Sequence, residues 1–71
     1  MAVNYYYVFV EIDPDTNMCI GIETTTYEHQ DNDPAYVRVP VYDEEYLFKY
    51  YINGNWYEDE EGTIPWQSSL I

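Results

Sequence analysis

The sequence predicts a mainly β fold that is α+β only in a minor sense: a small antiparallel sheet of two hairpins plus an edge strand, with one short helix. Three features predict it. Apolar and polar residues alternate with period two in several short runs, which puts the apolar ones on one side of a pleated strand. Strong turn formers, Asp13-Pro14-Asp15-Thr16-Asn17 and Asn53-Gly54, separate those runs. Helical spacing is confined to the stretch from Asp43 to Tyr50.

Asn4 to Ile12 reads as the first strand, with Tyr6, Val8, Val10 and Ile12 on one face and Tyr5, Tyr7, Phe9 and Glu11 on the other. Both faces are mostly apolar, as in a strand covered by the core on one side and by a second sheet, a subunit or a partner on the other. After the Asp-rich turn, Met18 to Thr25 returns, with Met18, Ile20 and Ile22 expected on one face and Gly21 and Glu23 opposite. Residues 26 to 34 are polar and end at Asp33-Pro34, which reads as a loop. Ala35 to Val41 alternates again, with Val37, Val39 and Val41 inward and Tyr36 and Arg38 outward. Pro40 lacks an N–H, so this strand lies at a sheet edge or stops there.

Asp43 is placed to cap the helix, Glu44 and Glu45 suit its positive N-terminal end, and Tyr46, Leu47 and Tyr50 recur at helical spacing over one or two turns. Tyr50-Tyr51-Ile52 and Trp56-Tyr57-Glu58 flank Asn53-Gly54, the dipeptide best suited to a type I′ turn, which predicts a tight second hairpin. The acidic run Glu58 to Glu61 ends it. Residues 62–71 read as an extended C-terminal tail, held extended before Pro65 and docking through Ile64 and Trp66. Residues 1–71 together make a single small β domain.

A domain this small buries only about 60% of the surface its unfolded chain exposes, which leaves little room for a deep catalytic cleft. Disulfides cannot reinforce it, because Cys19 is the only cysteine, and that residue reads as a small buried hydrophobe. Fourteen acidic residues face Lys49 and Arg38 alone, for a net charge of −12. Such a surface repels nucleic-acid phosphates and anionic membranes, and attracts basic protein surfaces. Folding is nonetheless expected, since acidic chains that stay disordered are poor in aromatics and this one is 20% aromatic with ten tyrosines. No apolar run reaches the roughly 20 residues of a membrane helix, and the N-terminus has no signal-peptide pattern, so the protein is read as cytosolic when made.

Candidate chemistry is sparse. Asp13, Asp15 and Asn17 have the one-three-five spacing that opens a calcium-binding EF-hand loop, but Met18 replaces the glycine needed at position six and Thr24 the bidentate glutamate at position twelve. No metal or other cofactor is expected. His29 is the only histidine and stands between Glu28 and Gln30 in the polar loop, remote in pattern from any nucleophile. Paired carboxylates need a walled cleft to raise one pKa, which a chain this short can scarcely build. The expectation is a protein that is not an enzyme.

Aromatic residues are the remaining functional material, because they bring large contact area at low entropic cost. Ten tyrosines and two tryptophans exceed what so small a core can hold. Tyr5, Tyr7 and Tyr36 on outer strand faces, with Trp56, Tyr57 and Trp66 on the late hairpin and tail, are the candidate partner-binding residues. An acidic patch of Glu44, Glu45, Glu58, Asp59, Glu60 and Glu61 is the alternative surface.

Three segments carry a resemblance. An aromatic strand leads through an Asp-rich turn into Met18-Cys19-Ile20-Gly21-Ile22; then comes Val41-Tyr42-Asp43-Glu44-Glu45-Tyr46-Leu47-Phe48-Lys49-Tyr50-Tyr51; then Asn53-Gly54-Asn55-Trp56-Tyr57-Glu58-Asp59. With the ending Gly62-Thr63-Ile64-Pro65-Trp66, the chain resembles small accessory proteins of bacteriophage virions and tails. Phe48 is a departure, standing where that pattern has a glycine at the helix end. The resemblance implies a structural part of a tail, fibre or capsid that attaches to a larger structural protein or to itself, as a homo-oligomer, and carries no catalytic residues. The other expectation is an acidic DNA mimic, its carboxylates occupying a basic nucleic-acid-binding surface of a host protein. Glycan binding by Trp56, Tyr57 and Trp66 is a third.

Overall fold

The structure is a computed structural model and describes residues 7–26 and 35–71. Its elements are β1 (Tyr7–Ile12), β2 (Cys19–Thr25), β3 (Tyr36–Val39), a 3-10 turn (Glu44–Tyr46), β4 (Tyr50–Ile52) and β5 (Asn55–Tyr57). β1 lies in the middle of an antiparallel sheet ordered β2-β1-β3, and β4 pairs with β5. The mainly β expectation is met: two small antiparallel sheets with a single 3-10 turn as the helical part. Tyr5 and Tyr6, and the loop that holds His29, lie outside the described residues.

Alternation in β1 builds the core. Val8, Val10 and Ile12 point to one face and are 5%, 0% and 6% exposed. Val10 is opposite Ile22 on one side and Val37 on the other, while Val8 is opposite Val39, so three strands present one apolar face. Tyr46, Leu47, Tyr51, Trp56 and Trp66 pack against that face. β3 stops at Val39, and Pro40, with no N–H for a ladder, follows it.

β2 departs from the expected alternation. Ile12 is opposite Cys19 while Glu11 is opposite Gly21, so Ile20 is the extra residue of a bulge. The bulge turns Cys19 into the core at 0% exposure and leaves Ile20, expected inside, 46% exposed. Ile22 regains the core face beyond it. Simple period two could not show where the strand slips by one residue.

The second hairpin follows the expected turn. Asn53 and Gly54 have φ values of 52° and 84°, both left-handed as a type I′ turn requires. It is joined to β2, because segment 48–51 runs beside 17–19: the Cys19 N–H donates to Lys49 O at 2.7 Å, Phe48 N–H to Cys19 O at 2.9 Å and Tyr51 N–H to Asn17 O at 2.8 Å. This strand-type pairing also explains why the expected one-or-two-turn helix shortens to a single 3-10 turn. Leu47 N–H still bonds Glu44 O at 3.0 Å, but Phe48 then takes a φ of 72° and its N–H goes to β2.

Residues after β5 fold back along it. Glu58 N–H donates to Ile64 O at 2.8 Å and Trp66 N–H to Trp56 O at 3.0 Å. Trp66 docks into the core cluster as expected, whereas Ile64 remains 52% exposed, because backbone pairing and not its side chain holds that stretch. Gly62 has a φ of 72°, which glycine holds without strain, and a Cβ there would sit 3.2 Å from the tip of the Ile52 side chain.

Two stability outcomes follow from this packing. Tyr46→Ala empties the centre of the aromatic cluster and should cost about 3–5 kcal/mol, enough to unfold much of so small a domain, read by urea titration of near-ultraviolet circular dichroism. Phe48→Gly should do the opposite. A left-handed residue with a Cβ costs about 1–2 kcal/mol, partly offset by the greater freedom glycine regains on unfolding, and Phe48 at 68% exposure has little burial to lose. A gain of about 0.5–1 kcal/mol, or several degrees in Tm, is expected by calorimetry.

Candidate functional site

The six candidate aromatics do not share one face. Tyr5 is outside the described residues. Tyr7 lies on the outer face of the three-stranded sheet, half-buried, with the Arg38 guanidinium 4.5 Å from its ring centroid and the Phe9 ring at 6.3 Å. Phe9, between Glu23 and Arg38 of the flanking strands, is 4% exposed. Tyr36 edges an open depression of about 150 Å³ with Glu11, Gly21, Ile22 and Glu23. A second depression, about 210 Å³, runs from Tyr7 and Arg38 to Tyr42. Neither lining includes a serine, cysteine or histidine.

Trp56 and Trp66 are half-buried and packed against the core. Their centroids are 5.0 and 5.1 Å from that of Tyr46 in edge-on contacts, and 6.4 Å from each other. Trp56 also meets Tyr51, its cross-strand partner, at 5.0 Å. Tyr57 sits on the other side of the hairpin, its ring beside Gly62. The tryptophans thus hold the 3-10 turn and the last segment to the sheet, and offer a partner only what these contacts leave uncovered.

Several carboxylates are tied down as well. Asp13 accepts from the Asp15 N–H at 2.9 Å, closing its own turn. Asp43, 7% exposed, accepts from the Glu45 N–H at 2.9 Å and from the hydroxyl of Ser68, itself 3% exposed. Asp59 accepts from the N–H groups of Thr63 and Ile64 at 2.9 Å and from the Thr63 hydroxyl, folding its loop back. The acidic patch is therefore discontinuous in role: Glu44, Glu45, Glu58, Glu60 and Glu61 are exposed, while Asp59 is engaged inward. Among the described residues no three acidic, histidine or cysteine side chains converge in a way that could hold a metal.

Hydrogen bonding sets the charge state of two of these groups. The Ser68 hydroxyl, then the Glu45 N–H, hold the Asp43 carboxyl below the usual aspartate value of 3.8. The Thr63 hydroxyl does the same for Asp59, helped by the Ile64 and Thr63 amides. Burial pushes the Cys19 thiol up from 9.0, against a smaller opposing effect of the Gly21 backbone, so it is a poor nucleophile. Burial, with the Asp43 charge adding to it, likewise raises the Tyr46 hydroxyl.

Among the described residues, the large apolar side chains that stand exposed lie outside the candidate set. Phe48 is 68% exposed, Ile71 63%, Leu70 60%, Ile64 52%, and Ile20 and Tyr42 46% each. For Phe48 the one signal was its departure from the glycine of the pattern that the chain resembles; helical spacing alone placed it inside the expected helix. Ile20 gave none, as the bulge that exposes it depends on pairing. Comparison with known protein families, characterised proteins and solved structures finds no match to this chain.

The bound carboxylates have a pH signature. Each has a folded pKa below its unfolded one, so its contribution to stability is complete above about 3.8 and is lost as pH falls through the folded value. Relief of repulsion among the other carboxylates acts in the opposite direction. The clean readout is a difference: urea midpoints of wild type and Asp43→Asn should be well separated at pH 6 and converge below about pH 3.8. A gap that persists unchanged to pH 2 means that the charge on Asp43 is not what stabilises the turn.

Proposed function

We propose that this is a non-catalytic interaction protein that attaches to a larger protein through exposed apolar side chains, while its acidity keeps it soluble and keeps nucleic acid away. One observation carries the reading. Among the described residues, six large apolar side chains stand 46–68% exposed, against a buried apolar core of seven residues. A chain with a net charge of −12 has abundant polar material with which to face water, so this much apolar surface is better explained by contact with another molecule. Tyr7 and Tyr36, half-buried on the outer sheet face, extend the surface on which such contact can form.

The resemblance to phage virion accessory proteins supplies the partner class: a tail, fibre or capsid protein, engaged by one copy or by several in symmetric array. Apolar docking of this kind predicts that the protein stays with purified particles through high-salt washing and is detected by mass spectrometry of them. Absence from particles of the encoding phage, together with a salt-labile complex with a basic host protein from which DNA displaces it, would replace this reading by the acidic mimic.

A further inference from the structure

We infer that the turn Glu44–Phe48, together with the outward Ile20, is the contact this protein offers its partner, and that the partner is a protein surface with an apolar pocket rimmed by lysine and arginine. The inference rests on the docking reading above and names its site and the chemistry of its occupant. Two backbone irregularities meet here. Phe48 holds a left-handed φ of 72° that glycine would hold without strain, and it points 68% of its surface to solvent. The β2 bulge turns Ile20 outward. The 2.9 Å bond from Phe48 N–H to Cys19 O brings the turn that carries Phe48 beside the residue that precedes Ile20 in β2. Neither side chain contributes to the core, so the fold itself has no use for a phenylalanine at position 48.

Charge selects the occupant. Glu44 and Glu45 are exposed on the turn that leads into Phe48, and the Lys49 ammonium is drawn 5.1 Å over the Trp66 ring, which leaves carboxylates as the turn's outward charges. A second copy of this chain brings another −12 and is repelled, and nucleic acid is repelled likewise. An apolar pocket bordered by cations satisfies both the phenyl ring and the two glutamates. The turn is also rigid before it docks, since Tyr46 behind it is 2% exposed and Asp43 at its start is bonded to Ser68, so little ordering remains to oppose binding.

The test is an amide-resolved NMR titration of the whole protein with a synthetic amphipathic lysine–leucine peptide, with oligolysine of equal charge as control. The lysine–leucine peptide should perturb residues 19–20 and 44–48 saturably, and oligolysine should bind far more weakly. Phe48→Gly should bind about tenfold or more weakly while melting at a higher temperature than wild type, a combination that damage to the fold cannot produce. Glu44→Gln with Glu45→Gln should weaken binding and flatten its salt dependence. Binding by Phe48→Gly within twofold of wild type overturns the inference, as does equal binding of oligolysine. A footprint on the Tyr7 and Tyr36 face overturns this site but leaves the docking reading standing. No saturable perturbation anywhere removes both, and concentration-dependent broadening at Phe48 without peptide makes a second copy the occupant and overturns the inference.

Discussion

Tyr46 packed edge-on against Trp56 and Trp66 is the contact on which the rest of the structure depends. Three pieces of chain that are short and separately unstable meet there: the 3-10 turn, the second hairpin and the last segment. An isolated two-stranded hairpin is marginal in water, and a single 3-10 turn is less stable still. Each gains by covering the Val8, Val10 and Ile12 face of the three-stranded sheet, and that sheet is dry on this face only because they do. With Leu47 and Leu70 as its only leucines, the protein builds its lid from rings, whose quadrupoles favour the edge-on geometry seen.

Around this cluster the acidic residues divide into two populations. Asp13, Asp43 and Asp59 close turns by accepting backbone N–H groups, a local use of short carboxylate side chains, and the Ser68 and Thr63 hydroxyls, with those amides, lower the pKa of Asp43 and Asp59. Asp43 does more, since its bond to the buried Ser68 hydroxyl joins positions 25 residues apart and ties the last segment to the turn beside Tyr46. The exposed glutamates have no such work within the described residues. They give the molecule its repulsion towards nucleic acid and its attraction towards basic surfaces. Net charge therefore overstates how much carboxylate is available to a partner.

The aromatic residues divide in the same way. Trp56 and Trp66 were expected as contact residues because the aromatics outnumber what so small a core can hold, and Trp66 was also expected to dock. The tail's backbone pairing with β5 brings Trp66 against the core. Apolar exposure moved elsewhere, to positions where the backbone leaves its regular path. In the proposed contact, a left-handed turn residue and a bulge residue stand on neighbouring segments of the chain, an arrangement that a single well-packed fold does not by itself require.

Much of the fold was legible in local sequence. Period two in β1 and β3, Asn53-Gly54, Asp43 as a cap and Pro40 as a strand end are decided within a few residues of themselves, because pleat geometry, left-handed φ and a missing N–H are local properties. Tertiary structure alone decided the rest. Which residue of β2 slips, whether the helical stretch continues past Leu47, and where Trp66 goes depend on partners far away in the chain: Glu11 and Ile12 for Ile20, Cys19 for Phe48, Trp56 for Trp66. The same holds for the proposed site. Phe48 departs from the pattern that the chain resembles, but Ile20 is 28 positions earlier, and only the bonding of residues 48–51 to residues 17–19 brings the turn near the bulge.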